Sequence, residues 1–250
     1  MQVWPSNHPP GGVCLITGEL TRYALAQQSI MSLKLPPGSI NAWFTGMLVA
    51  KSLNSALQSV IDNPTLQWAW IMGDDHTFEP ETVFKLLDRD KDVIAPLCLN
   101  RLPPMDPTII EHDKKRMKYL EDLPKGGGLY RLKASETCGD AGLLIRRHVL
   151  EKIGAPWYDH RISGSINAED QAFIQRIKDA GFDVFVDLDV RLGHIGNVVY
   201  APVLKAGGWE VRIIGGGARH VCDLGPSPRA DDAFQIAGEV PIPISTAAAA

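Results

Sequence analysis

At 250 residues, with 45% apolar and 22% charged residues, the chain is ordinary globular material, long enough to bury a full core as one α/β domain with or without extensions. A formal net charge of −4 gives no support for non-specific nucleic-acid binding, which needs a basic face, although it leaves room for a local basic groove. The four cysteines, Cys14, Cys98, Cys138 and Cys222, form no CxxC pair, which favours thiols in a reducing compartment over a disulfide framework or a zinc site. No apolar run reaches the roughly 18 residues of a membrane span, and no basic segment followed by a long apolar stretch opens the chain, so a cytoplasmic address is expected.

Strand and helix signals alternate along the chain. Val13 to Thr17 is a short apolar strand ending in Thr-Gly. Tyr23 to Leu33 has helical character and is broken by Pro36-Pro37-Gly38. Met47 to Ile61 reads as a helix, with Leu53, Leu57, Val60 and Ile61 at helical spacing and Asn63-Pro64 as its stop. The apolar run Trp68 to Met72 predicts a buried strand that stops abruptly at Gly73-Asp74-Asp75-His76. Pro80 suits the first turn of the next helix, which carries Val83, Phe84, Leu86 and Leu87, with Glu79 and Glu81 beside its positive end. Val93 to Leu97 is the following strand.

Arg101 to Gly128 is less regular, with four prolines, three consecutive glycines and the basic cluster Lys114-Lys115-Arg116-Met117-Lys118. It reads either as a solvated loop or short helix, or as a mobile lid over an anionic substrate. Leu143 to Ile145 predicts a strand and His148 to Ile153 a short helix. Ala168 to Ala180 predicts an amphipathic helix with Ala172, Phe173, Ile174 and Ile177 inward and Gly181 as its C-cap. Asp183 to Val190 alternates as a strand, Gly193-His194-Ile195-Gly196 follows, and Trp209 to Ile214 is one more candidate strand. The terminal alanine run reads as a disordered tail. Such alternation argues for a mainly parallel sheet with right-handed crossovers.

Chemistry concentrates where that pattern is interrupted. Carboxylates at the C-terminal mouth of a buried strand sit where open α/β sheets bind ligands. Asp74 and Asp75 repel each other and call for a counter-charge, a metal ion, a basic side chain or water. Oxygen ligands suit Mg²⁺ or Mn²⁺, which in turn suit phosphates. The competing reading makes both acids caps of the helix near Pro80. Glu169-Asp170 opens a helix, where acids are placed favourably beside the positive end, with Asn167 or Ser165 as caps.

Three segments in order, IMGDDHTFEPETVFKLLDRDKDVIAPLCLNRLPP, CGDAGLLIRRHVLEKIGAPWYD and AEDQAFIQRIKDAGFDVFVDLDVRLGHIG, resemble a GT-A-type nucleotide-sugar glycosyltransferase, most closely the compact bacterial and phage-borne branch. The resemblance spans about Val13 to Gly196. It implies a single Rossmann-like GT-A α/β/α sandwich with a mostly parallel central sheet over residues 1–200. About 13–100 would form the nucleotide-sugar-binding half and about 101–200 the acceptor and catalytic half, with 201–250 a C-terminal extension and partly disordered tail. It also implies a nucleoside diphosphate sugar donor (UDP-sugar or GDP-sugar), a Mn²⁺ or Mg²⁺ cofactor and a hydroxyl acceptor on a glycan, a protein or a DNA base.

Residue by residue, the resemblance places Gly73 where the first acid of the family's metal motif is usual, Asp74 at the variable place and Asp75 at the last acid. Asp75 is then the metal ligand, and Asp74 stands in for the missing acid through a metal-bound water or the ribose. His194, in Gly-His-Ile-Gly, matches a histidine that completes the metal site in several GT-A enzymes, and its imidazole tilts the choice toward Mn²⁺ over Mg²⁺. His76 ranks as an outer partner, because adjacent residues on an extended chain point apart. Asp170 takes the place of the base that removes the acceptor hydroxyl proton in inverting members, with Glu169 as the alternative or as an acceptor-binding group. In retaining members the same acid would position the acceptor.

Thr17 and Gly18 lie near where the family holds the base. Asn54 matches a donor-binding asparagine, with Lys51 supplying positive charge in place of an arginine; both also read as solvent-facing helix residues. Trp157 is either a platform for a sugar or an ordinary buried side chain. The rival functions are a sugar nucleotidyltransferase, whose glycine-rich N-terminal signature is missing, a metallophosphoesterase, which would need further clustered ligands, and a nucleotide-sugar-binding protein without transferase activity.

Overall fold

The computed structural model describes residues 2–17, 23–45, 49–101, 105–159, 169–196, 199–206, 208–215 and 218–222; for 199, 200, 210, 212–215 and 218–222 it describes the backbone alone. In chain order the elements are β1 (Gln2–Val3), β2 (Gly12–Thr17), α1 (Ala24–Ser32), β3 (Lys34–Leu35), β4 (Ile40–Thr45), α2 (Val49–Asp62), β5 (Trp68–Gly73), β6 (His76–Thr77), α3 (Thr82–Asp88) and β7 (Val93–Leu97). They continue with β8 (Ile109–Glu111), β9 (Arg116–Met117), β10 (Leu129–Arg131), β11 (Glu136–Cys138), β12 (Leu144–Arg146), α4 (Arg147–Ile153) and α5 (Glu169–Asp179). The last strands are β13 (Phe185–Arg191), β14 (Gly193–Ile195), β15 (Val199–Lys205), β16 (Gly208–Gly215) and β17 (Ala218–Cys222).

A seven-stranded sheet in the order β10-β13-β7-β12-β5-β2-β4 forms the middle layer. β4, β2 and β5 run parallel, as do β7 and β13, while β12 runs antiparallel to both its neighbours and β10 antiparallel to β13. The sheet is therefore mostly parallel, as the strand–helix alternation implies.

Both faces are covered, which explains why β2 and β5 read as apolar runs without polar alternation. Val13, Leu15, Trp68, Trp70 and Met72 pack under α1 and α3 with Ile30, Val83, Leu86 and Leu87. Cys14, Ile16, Ala69 and Ile71 face the other way, against α2, α4 and α5. The small residues on that face let α2 come close: a Cβ on Gly12 would stand 2.4 Å from Val60 Cγ2. On the opposite side a Cβ on Gly11 would stand 2.0 Å from the Trp68 ring, so glycine at that position admits the indole.

The helices follow their apolar spacing. α2 buries Leu53, Ala56, Leu57 and Val60, one stripe at i, i+3, i+4 and i+7. It stops before Asn63, whose Oδ1 accepts from the Thr65 amide at 3.1 Å. α5 buries Ala172, Phe173, Ile174 and Ile177, the expected four. Gly181, at φ +91°, ends it: the Phe182 amide donates to the Ile177 carbonyl at 3.3 Å and the Gly181 amide to Lys178 at 2.9 Å, a Schellman closure. The expected caps Ser165 and Asn167 lie outside the described residues, as do Gly18 and the terminal alanines.

Two smaller sheets flank this layer. β8 and β9, from the segment expected to be loop or lid, join β11 in a three-stranded sheet of order β11-β8-β9. Its basic cluster is partly turned inward, contrary to a wholly solvated loop. Lys118 Nζ lies 3.3 Å from Glu111 Oε1 and 3.1 Å from Glu136 Oε1, with all three side chains nearly inaccessible. Arg116 joins them 2.9 Å from Glu111 Oε2. The other sheet runs β17-β16-β15-β14-β6 and is antiparallel throughout. The division expected at residue 200 falls inside its strand β15, and its inner edge carries the site.

Candidate functional site

β5 ends at Gly73, the chain bends through Asp74 and Asp75, and β6 begins at His76. β6 pairs with β14 so that His76 stands directly opposite His194. That register joins the mouth of the central sheet to the Gly-His-Ile-Gly segment, and the Ile195 amide donates to the Asp75 carbonyl at 2.7 Å to fix it. The two imidazoles stack at 4.4 Å between centroids.

Asp75 is the hub. Its Oδ2 lies 3.2 Å from His194 Nε2 and 3.0 Å from an Arg101 guanidinium nitrogen, and its Oδ1 lies 2.8 Å from His76 Nδ1. His194 Nδ1 donates to the Leu99 carbonyl at 2.8 Å, which leaves Nε2 toward Asp75. The expectation that His76 would point away fails because the backbone bends at Asp74-Asp75 and is not extended there. Gly73 contributes too: a Cβ at that position would stand 2.9 Å from Asp75 Oδ1, so the missing first acid leaves the room Asp75 occupies. Cys98, the first residue beyond β7, completes the group; ligand atoms of His76, Cys98 and His194 all lie within 4.8 Å of one another.

The electrostatics follow from burial and these neighbours. Burial opposes ionisation of Asp75, but hydrogen bonding and charge from His194 and His76 outweigh it and hold the carboxyl well below the usual range. Burial likewise opposes protonation of the histidines, yet Cys98 and Asp75 hold His76 up to about 9, and Asp75 with Cys98 holds His194 up to about 10.

A second acidic group adjoins the first. Asp140 follows β11 and accepts from the Tyr158 hydroxyl at 2.8 Å. Asp170, in the first turn of α5, lies over the same loop: a Cβ on Gly139 would stand 3.5 Å from Asp170 Oδ2. Burial and then the charge of Asp140 lift the Asp170 carboxyl to about 7. Burial also raises Asp140, and the charges of His76 and Glu169 both reach it, so it stands electrostatically between the histidine cluster and the start of α5.

The donor-side expectations meet the structure unevenly. Thr17 is wholly buried at the end of β2, with its hydroxyl unpartnered among the described residues. Asp74 sits in the bend beside Asp75, and Lys51 is exposed near the start of α2. Asn54, expected either to bind the donor or to face solvent, is half-buried and ties α2 to the Trp157-Tyr158 segment. Its Oδ1 accepts from the Trp157 and Tyr158 amides at 2.8 and 3.1 Å, and its Nδ2 donates to the Tyr158 carbonyl at 2.7 Å. Trp157, read either as a sugar platform or as an ordinary buried side chain, is 3% exposed and its indole donates to the Leu150 carbonyl at 3.0 Å.

Sequence reasoning passed over Cys98, Arg101, Asp140 and Tyr158. Cys98 had a readable signal, the same strand-mouth position that singled out Asp75. Asp140 had another, an acid bracketed by glycines in Gly139-Asp140-Ala141-Gly142. Gly142 needs its φ of +73°, and a Cβ there would stand 2.5 Å from Pro96.

No model of a known protein family matches the sequence, and no curated protein matches it. Among solved structures, the chain is similar to A197 from STIV, with a TM-score of 0.56 and 12% identity over 83% of this chain and 95% of that one. Weaker likenesses include GalNAc-T7 with UDP, GalNAc and Mn²⁺ (TM-score 0.45, 10% identity, 76% of this chain and 45% of that one). TarS of S. aureus in complex with UDP-GlcNAc is comparable (0.46, 11%, 72% and 56%). The A197 likeness covers most of this chain and nearly the whole of A197 and, at this identity, speaks for fold alone. The fold is a mixed α/β, Rossmann-like sandwich around a mostly parallel sheet.

Proposed function

We propose that this protein is a metal-dependent glycosyltransferase that moves a sugar from a nucleoside diphosphate sugar, UDP- or GDP-linked, to a hydroxyl acceptor. The observation that carries the reading is the Asp75–His194 pair at the mouth of the central sheet, linked through Asp140, which feels the charge of His76, to a second carboxyl, Asp170, held near neutral pH by burial and the Asp140 charge.

The residues fit a divalent transition ion. Asp75 Oδ2 and His194 Nε2 are 3.2 Å apart, a separation natural to two ligands each roughly 2.1 Å from one ion. An imidazole donor favours Mn²⁺ over Mg²⁺, which prefers oxygen. Asp75 and His194 would hold the ion, with Asp74 reaching it through water or meeting the ribose. When bound, the ion offsets the negative charge that accumulates on the leaving diphosphate. Arg101, exposed and already against Asp75, supplies the positive charge near the diphosphate that Lys51 was expected to give.

Asp170 Oδ accepts the acceptor's hydroxyl proton as the hydroxyl oxygen bonds to the anomeric carbon and the bond from that carbon to the diphosphate oxygen breaks. A base lifted to about 7 is matched to this task at neutral pH, where such assistance supplies roughly 10²–10⁴-fold. Glu169, beside it on α5, orients the acceptor. Asp140 and Tyr158 set the field around Asp170. The Thr17 hydroxyl, buried at the neighbouring strand mouth, is available to the nucleotide base.

Incubation with a panel of UDP- and GDP-sugars, with and without Mn²⁺, tests the reading through nucleotide release. Mn²⁺-dependent release from one donor class is expected. Tight nucleotide binding without release from any donor, even with candidate acceptors, would make the protein a binder; no binding at all would remove the nucleotide-sugar reading.

A further inference from the structure

The Asp75–His194 pair leaves two donors beside it unused. His76 is only 5% exposed; its Nδ1 lies 2.8 Å from Asp75 Oδ1, and its Nε2 has no hydrogen-bond partner among the described residues. A buried polar group without a partner is costly to leave so, and its presence asks for a ligand. Cys98 is buried at the neighbouring strand mouth, with its sulfur only 3.6 Å from the Leu99 carbonyl as a weak contact. The ligand atoms of His76, Cys98 and His194 converge within 4.8 Å.

We infer that His76, Cys98 and His194 form a binding site for a thiophilic divalent ion of the Zn²⁺ class, which this chain takes up in preference to Mn²⁺. Two imidazoles and a thiolate are the donors of zinc sites, whereas Mn²⁺ favours oxygen and stands at the weak end of the divalent affinity order. Three protein ligands leave a fourth tetrahedral position, for which Asp75 Oδ2, 3.2 Å from His194 Nε2, is a carboxylate close at hand. Coordination replaces the thiol proton, which passes to solvent. Because His194 belongs to both donor sets, a zinc-class ion and the Mn²⁺ of the proposed donor site exclude each other. No CxxC spacing announces the site; the strand order brings β6, the end of β7 and β14 together across distant sequence. The inference stands on the cluster itself and does not depend on sugar transfer.

Cobalt(II) is the probe. Full-length protein stripped with chelator should bind one Co²⁺, give the visible absorption of a tetrahedral site and show a thiolate-to-cobalt charge-transfer band. One equivalent of Zn²⁺ should abolish both. Cys98→Ser should lose the charge-transfer band and weaken Zn²⁺, measured against a chromophoric chelator, by about a hundredfold or more, since even outer partners of a ligand cost 10–100-fold. Should that variant fail to fold by circular dichroism, X-ray absorption of the zinc-loaded wild type decides, with a sulfur shell expected at about 2.3 Å and nitrogen at about 2.0–2.1 Å. A zinc environment of nitrogen and oxygen only, or unchanged Zn²⁺ affinity in folded Cys98→Ser, overturns the inference. An intact cobalt–thiolate band in a protein that binds no nucleoside diphosphate would sink the transferase reading and leave this site standing.

Discussion

Replacing Asp170 by asparagine should make the protein slower and, at alkaline pH, more stable. The side chain is the same size, and Asn Oδ1 can keep the 2.7 Å bond that Asp170 Oδ1 accepts from the Gln171 amide. What changes is charge. The carboxyl goes from 3.8 unperturbed to about 7 in the fold, first through burial and then through Asp140. Between those values the native state holds a proton that the unfolded chain has released, so stability falls as pH rises through the window. At about 1.4 kcal/mol for each pH unit, the ionised form costs up to roughly 4 kcal/mol above pH 7, and relaxation or residual solvent will reduce this to a few. Asp170→Asn removes that cost. Urea unfolding at pH 4 and pH 8 is the assay. The variant should match the wild type at pH 4 and exceed it by about 1–3 kcal/mol at pH 8. Transfer should fall by roughly 10²–10⁴-fold with donor affinity retained, since loss of a base costs the transition state and leaves ground-state binding alone. A variant no more stable than wild type at pH 8 would falsify the electrostatic account of Asp170, and near-normal transfer would move the base to Glu169 or to a retaining mechanism.

Wild-type transfer should rise with pH through about 7 and then level, because the base must be ionised; a flat profile from pH 5 to 9 with saturating donor counts against Asp170. Asn54→Ala should cost about 2–3 kcal/mol in urea unfolding by stripping the acceptor from the Trp157 and Tyr158 amides, with the nucleotide dissociation constant of the folded protein unchanged. Lys118→Met should destabilise by about 3–5 kcal/mol, because it leaves Glu111 and Glu136 charged and buried with one cation fewer. A thermal midpoint within a degree of wild type would show that Arg116 and Lys114 already satisfy Glu111, and Lys133 and Tyr130 already satisfy Glu136.

The parts of this fold that local chemistry encodes were legible in the sequence. β2, β5 and β7 are apolar runs covered on both faces, and α2 and α5 carry single apolar stripes, so each was readable from its own residues. β4 was missed because Ile40–Thr45 is only partly buried along its length and lacks a continuous apolar run. β6 and β14 are too short to have a period; only their pairing across more than a hundred residues makes them strands, and that pairing brings His76 to His194. For the same reason Asp75 and His194 could be named from strand ends and flanking glycines, whereas Cys98 and Asp140 gain meaning only from the strand order. Asn54 and Trp157 stayed open in the sequence because a polar residue at a helix start and a tryptophan near an acid look alike whether they face a ligand or hold a turn.

The claim that Asp75 and His194 together hold the ion that anchors the donor is tested most directly by calorimetric titration of UDP and GDP into wild type, Asp75→Asn and His194→Ala, each with and without Mn²⁺. Mn²⁺-dependent binding of one nucleotide by the wild type, lost in both folded variants, is the predicted result. Undiminished Mn²⁺-dependent binding in Asp75→Asn would contradict it.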